Sequence, residues 1–278
     1  MIISYPIRSM GIRSRIVEAG TGPQEIWLVH GIGGRADRWR SCLEPLAQAG
    51  YRVRAVDLPG HGFASRSAEA RYTVAGFAAF MAETLARYAE GESITLIGTS
   101  FGGHVALRTA LDLHTEVDTS PLHALVLCAP TGICALGSEA REGLADRLAQ
   151  PDRETVRSRL SFMTGMTGSD LDVLTEEEYR ITNFPGTVHA MQRLAAMVRE
   201  ELDAQPLLDS LVRLAWELPV LQVWGEADRS ISPEIGRRIA RHVPAISSVL
   251  LPGVGHMPYL QAPELFHREV LGFLRQIC

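Results

Sequence analysis

A glycine-rich turn carrying a serine, Gly98-Thr-Ser100-Phe-Gly102, lies between an apolar run, Ser93–Ile97, and a helix-forming stretch, Val105–Leu113. No other feature of the chain restricts its fold as much. A backbone that reverses from a buried strand into a helix within one short turn leaves no space for a Cβ beside the bend, so glycine belongs on both sides. The serine is forced into a strained conformation that presents its hydroxyl at the C-terminal end of the strand. The Phe101 amide and the positive end of the helix stand next to it, where a developing oxyanion would be stabilised. The plain reading of such a turn is a glycine-rich connection. The chemical reading is a mount for a nucleophile, and the surrounding sequence decides between them.

That sequence alternates strands and helices. Glu25–His30, Arg52–Val56, Leu122–Cys128, Val220–Trp224 and Ser247–Leu251 are short apolar runs with strand character. Ala36–Ala49, Tyr72–Tyr88, Pro233–His242 and Pro263–Ile277 have helical periodicity; in Tyr72–Tyr88 it places Val74, Phe77, Ala78, Met81 and Leu85 on one face. Apolar strands alternating with helices predict an α/β fold with a parallel sheet covered on both faces. Thr131–Trp216 breaks the rhythm. It has no strand-like run and is helix-forming over Ser138–Ala149, Asp152–Phe162 and Thr187–Leu202, with Gly165, Gly168 and Pro185 as punctuation. The expected organisation is a core domain, 1–130 and 217–278, interrupted by a helical cap, 131–216.

Composition excludes several function classes. With 27 basic and 32 acidic residues the net charge is −5, which argues against nucleic acid and against an anionic membrane surface. No apolar run approaches the ~18 residues of a membrane span, and Met1–Arg15 has no signal-peptide apolar core. Cys42, Cys128, Cys134 and Cys278 are scattered and form neither a disulfide framework nor a metal knuckle, so a reduced, cytoplasmic setting is expected.

A serine hydroxyl needs a base. Of nine histidines, His256 in Gly253-Val-Gly-His-Met-Pro258 follows the last strand, on the sheet edge where Ser100 belongs. His104 should pack down its helix, His61 should stabilise its turn and His30 should fix the glycine loop by hydrogen bonds. His114, His123, His189, His242 and His267 have no site context. The base in turn needs a carboxylate to set its tautomer. Asp228, in Gly225-Glu-Ala-Asp-Arg229 at the end of Val220–Trp224, is favoured over Glu226 because it stands deeper in the loop. The order Ser, Asp, His is the one that accompanies a strand–turn–helix serine. His30-Gly-Ile-Gly-Gly34, after the first core strand, supplies a second oxyanion donor: the Ile32 amide, with Gly33 as its rival.

These segments, together with Asp57-Leu-Pro-Gly-His-Gly62 and Gly103, resemble the α/β-hydrolases that carry an inserted cap, over nearly the whole chain. The resemblance implies a mostly parallel eight-stranded sheet flanked by helices, with an antiparallel hairpin from the first ~25 residues. It implies Ser100 as nucleophile, Asp228 as acid, His256 as base, and an oxyanion hole from Ile32 and Phe101. It implies no cofactor and no metal. Dehalogenases and epoxide hydrolases of this fold carry aspartate where this chain has Ser100. Carbon–carbon hydrolases of ring-fission products usually have asparagine before the serine and tryptophan after the histidine; here these are Thr99 and Met257.

The expected activity is hydrolysis of a small or medium ester or thioester, the partner being that small molecule. The alternatives are carbon–carbon bond hydrolysis and a receptor-like protein with little turnover. Gly31, Gly33, Met163 and Met257 are the expected substrate-binding residues. Phe162, Met163, Met166, Phe184, Met191, Met197 and Trp216 are candidates for an apolar acyl pocket, although most such residues should simply pack the cap. Arg153, Arg157 and Arg159 suit an acidic substrate or, more simply, a solvated helix face.

Overall fold

A computed structural model describes residues 1–116, 121–149 and 152–277. Its strands are β1 (Ile2–Ser9), β2 (Ile12–Ala19), β3 (Gln24–Val29), β4 (Arg52–Val56), β5 (Ser93–Thr99), β6 (Leu122–Cys128), β7 (Val220–Gly225) and β8 (Ser247–Leu251). Its helices are α1 (Arg40–Gln48), α2 (Val74–Tyr88), α3 (Phe101–Glu116), α4 (Ser138–Ala149), α5 (Arg153–Thr164), α6 (Gly168–Thr182), α7 (Thr187–Glu200), α8 (Leu208–Leu214), α9 (Pro233–His242), α10 (Pro258–Gln261) and α11 (Pro263–Gln276).

The eight strands form one sheet in the order β1-β2-β4-β3-β5-β6-β7-β8. β1 and β2 are an antiparallel hairpin, and β2 meets β4 antiparallel; every pairing from β4 to β8 is parallel. The apolar runs of the core strands have no polar face because both sides are covered. In β3, Trp27 and Val29 pack into the cluster beneath α2 and α3, whereas Ile26 and Leu28 pack into the cluster beneath α1 and α11. This two-residue alternation follows from the pleat. Parallel pairing then brings the C-terminal ends of β3 to β8, and the loops that follow them, to one edge. Every segment singled out in the sequence is on that edge.

Two helical boundaries differ from expectation. The helix predicted over Ala36–Ala49 opens as a 3-10 turn over Ala36–Trp39 before α1 begins. The Ala36 amide is taken by Asp57 Oδ1 at 2.7 Å, so the first turn is anchored from outside the helix. Between β6 and β7, α4, α5 and α7 match the predicted stretches, but α6 and α8 were not among them. Gly165 and Gly168 read as punctuation, and they are: both have positive φ, Gly165 closing α5 and Gly168 opening α6. The helix beyond that break is polar and gives a weak apolar signal. α5 and α6 share a small separate cluster of Val156, Leu160 and Leu171. Cys42, Cys128 and Cys134 are buried free thiols; Cys278 lies outside the described residues. Among the described residues no helix is long and apolar enough to cross a membrane.

Candidate active site

Ser100 occupies the turn between β5 and α3 with φ of 54°, in the left-handed region that a side chain rarely adopts. The strain is held in place by its surroundings. A Cβ on Gly98 would be 2.3 Å from the Gly102 carbonyl oxygen, and one on Gly102 would be 2.3 Å from the His30 carbonyl oxygen. The Ser100 amide donates to Cys128 O at 2.8 Å, which ties the bend to β6. Helix α3 starts at Phe101, four residues earlier than the apolar periodicity suggested, so the Phe101 amide belongs to the first turn beside Ser100.

His256 and Asp228 are on separate loops held together by backbone. The Ala227 amide donates to Val254 O at 2.8 Å and the Glu226 amide to Leu251 O at 3.0 Å. A Cβ on Gly225 would be 2.2 Å from the Gly255 carbonyl oxygen, so the two loops touch without side chains between them. His256 Nδ1 donates to Asp228 Oδ2 at 2.8 Å, and both side chains are buried. Asp228 Oδ1 accepts from the Ser230 and Ile231 amides at 2.7 and 3.0 Å, which fixes the carboxylate's rotation. Glu226, the rival carboxylate, is exposed. With Nδ1 engaged, Nε2 is the nitrogen left for the cavity that His256 lines together with Ser100.

The glycine loop lies directly on Ser100. A Cβ on Gly31 would be 3.2 Å from Ser100 Cβ. His30 anchors this loop: Nδ1 donates to Gly31 O at 2.8 Å and Nε2 accepts from the Leu58 amide at 3.0 Å. His61 Nδ1 caps its own turn on Pro59 O at 2.9 Å. His104 packs on Gly132, where a Cβ would be 2.2 Å from its ring.

Burial pushes His30 down to about 4, His61 to about 3 and His104 to about 4. All three are neutral in the fold, while the unfolded chain protonates them near pH 6.5. Between these limits the unfolded state binds more protons, so stability falls as pH drops through that window, by about 1.4 kcal/mol per pH unit for each group. Urea unfolding at pH 7.5, 5.5 and 4.5 should give a steadily falling midpoint. A midpoint that holds constant across the three would contradict the assignment.

Two small cavities, about 50 and 20 Å³, lie over Ser100. Ile32, Ser100, Met163 and His256 line both; Gly31, Gly33 and Met257 line the second. Of the apolar-pocket candidates, Phe162 joins Met163 at the first cavity. Met191 and Met197 are core, and Met166, Phe184 and Trp216 are exposed. A larger surface cleft of about 520 Å³ along α3 and α8, lined by Arg108, His114 and Arg213, holds none of these residues.

The arginines divide in an unexpected way. Arg153 and Arg157 are on the solvated face, paired with Glu176 and Asp172. Arg159 is 8% exposed and lines both cavities, which corrects its reading as a solvated residue. Beside it Glu178 of α6 accepts from Arg35 and Arg38 of the core. Burial raises the Glu178 pKa, but Arg38, Arg35 and Arg159 more than offset this and hold the carboxyl below its usual range. Neither Glu178 nor Arg38 carries a local signal, because these residues are more than a hundred positions apart along the chain and meet only through the fold.

The model described as the alpha/beta hydrolase family matches residues 28–269. This chain belongs to that family. The α/β hydrolase is 27% identical over 276 residues to a 2-hydroxy-6-oxononadienedioate/2-hydroxy-6-oxononatrienedioate hydrolase of Burkholderia vietnamiensis, covering 95% of this chain and 92% of the relative. It is 29% identical over 269 residues to a pimeloyl-[acyl-carrier protein] methyl ester esterase of Yersinia enterocolitica, covering 92% and 95%. A 2-hydroxy-6-oxo-6-phenylhexa-2,4-dienoate hydrolase from Rhodococcus has the same fold, with a TM-score of 0.85 at 18% identity and 99% of each chain covered. Of the two sequence relatives, one is named as a hydrolase of an oxononadienedioate or oxononatrienedioate and the other as a methyl ester esterase.

Proposed function

We propose that this α/β hydrolase cleaves a small or medium carboxylic ester or thioester through an acyl-enzyme on Ser100. The observation that carries this reading is the buried His256–Asp228 hydrogen bond at 2.8 Å, on a cavity shared with the strained Ser100. Asp228 holds the Nδ1–H tautomer, which makes Nε2 the proton acceptor. His256 takes the Ser100 proton as Oγ attacks the acyl carbonyl. The oxyanion forms against the Ile32 and Phe101 amides, neither of which donates in a turn or loop hydrogen bond among the described residues. The imidazolium then protonates the leaving group, and the same imidazole activates the water that releases the acid.

The helices between β6 and β7, residues 131–216, act in this reading as the cap. The cavities beneath them are far smaller than the roughly 300–1,000 Å³ of sites for drug-sized ligands, and the larger shares Arg147, Phe162 and Ser230 with a surface cleft of about 710 Å³, the side from which an ester would enter.

The likeness to a 2-hydroxy-6-oxononadienedioate hydrolase favours a second reading on the same residues, carbon–carbon bond hydrolysis. The test is a fluorophosphonate label with an ester panel. Stoichiometric labelling of Ser100 with turnover of p-nitrophenyl butyrate is expected. Labelling with turnover only of 2-hydroxy-6-oxononadienedioate would select the second reading, and an unlabelled Ser100 would overturn both.

A further inference from the structure

We propose that Arg159 forms an anion subsite inside the catalytic cavity, so that the substrate is a short acyl compound bearing a carboxylate. This rests on the hydrolase reading of Ser100 and specifies the substrate class. Four charged side chains are buried together where α5 and α6 meet the glycine loop: Arg35, Arg38, Arg159 and Glu178. Arg35 has its own partners in Glu177 at 2.7 Å and Asp37 at 3.4 Å. Arg38 and Arg35 both donate to Glu178 Oε2. Arg159 Nη2 is 3.8 Å from Glu178 Oε1, beyond hydrogen-bond reach, and has no hydrogen-bond partner. One carboxylate is thus shared among three guanidinium groups.

The surplus cation faces the cavity. Arg159 and Arg147 are the charged residues lining the larger space over Ser100, and Arg159 and Arg38 those lining the smaller; among the described residues no carboxylate lines either. Leaving a buried guanidinium without a hydrogen-bonded anion is costly in a structure that binds nothing there. Its planar fork matches a carboxylate through two parallel hydrogen bonds.

The glycine loop sets the distance. A Cβ on Gly31 would touch Ser100, and a Cβ on Gly33 would be 2.9 Å from Arg159 Nη1. Two residues of backbone span at most about 7 Å, and Ser100 and Arg159 line the same two small cavities, so a carboxylate on Arg159 and the carbonyl under attack share one confined space. A monoester of a short dicarboxylic acid has these dimensions.

Monomethyl glutarate and its neutral counterpart methyl valerate test the subsite on the full chain. Wild type should hydrolyse the anionic ester with kcat/KM at least about tenfold higher. Arg159→Gln should lower kcat/KM for monomethyl glutarate by about 100-fold, chiefly through KM, and erase most of the preference over methyl valerate; Arg159→Lys should recover part of that preference. Equal rates on the two esters in wild type, or equal losses in the variant, would overturn the subsite and leave ester hydrolysis standing. Calorimetric titration of glutarate reads the same site without turnover: wild type should bind it and Arg159→Gln should not. If neither ester reacts, the reading of Ser100 fails while this titration still decides the subsite. Glutarate binding of equal strength to both proteins would overturn it.

Discussion

Replacing Ser100 with alanine is expected to lower kcat by roughly 10⁴- to 10⁶-fold while leaving the fold and Tm close to those of the parent. The size of the loss follows from what the remaining groups can do. Without Oγ no acyl-enzyme forms, and only the oxyanion donors and substrate binding remain to accelerate direct attack by water. The fold should survive because the strain at this position is a property of any side chain at φ of 54°, and alanine keeps the Cβ. The backbone ties of the bend, from the Ser100 amide to Cys128 and from the Thr131 amide to the Ser100 carbonyl, do not involve Oγ. Steady-state rates on p-nitrophenyl butyrate with a thermal melt on the same sample check both halves. A variant that keeps more than about a tenth of the parent rate would remove Ser100 from the chemistry.

How much of this was legible in the sequence depends on whether a residue's role is local. The turn at Ser100 could be read because its constraint is steric and confined to neighbours in sequence: Gly98 and Gly102 each face a carbonyl oxygen where a Cβ would sit. The sheet could be read because burial on both faces leaves continuous apolar runs, and parallel pairing then puts all the following loops on one edge. Asp228 and Glu226 could be separated only by loop depth, and the physical reason lies in contacts absent from the sequence. The Ser230 and Ile231 amides draw the Asp228 carboxylate inward, while Glu226 lies outside that turn. Arg159 reads more simply as solvated for a good local reason: it shares a helix with Arg153 and Arg157, and three arginines on one helix ordinarily mark a wet face. Its burial comes from α6 and the glycine loop, which no helical periodicity reports. The same holds for the polar helix α6, whose one buried charge, Glu178, matters through Arg35 and Arg38 of a distant segment.

Asp228→Asn should lower kcat by about 10⁴-fold with little change in stability, and the reason is a forced amide orientation. Asp228 Oδ1 accepts two backbone N–H groups and Oδ2 accepts the His256 Nδ1–H. An asparagine of the same shape has one oxygen and one NH2. Pointing the NH2 at the Ser230 and Ile231 amides would set donors against donors in a buried site, at a cost of roughly 1–3 kcal/mol for each unsatisfied group. The oxygen therefore stays with those amides and the NH2 faces His256. Imidazole answers by moving its proton to Nε2 and accepting at Nδ1. The nitrogen on the cavity side is then a donor and no longer takes the Ser100 proton. The two backbone hydrogen bonds are kept, so the loop holds its shape and Tm should move little. Glu226→Gln, on an exposed side chain, should leave kcat within about threefold. Rates that stay near parent in Asp228→Asn and collapse in Glu226→Gln would transfer the acid's role to Glu226. In Asp228→Asn, nitrogen-edited NMR of the His256 ring should find the proton on Nε2; a proton still on Nδ1 would contradict the mechanism even where the rate falls.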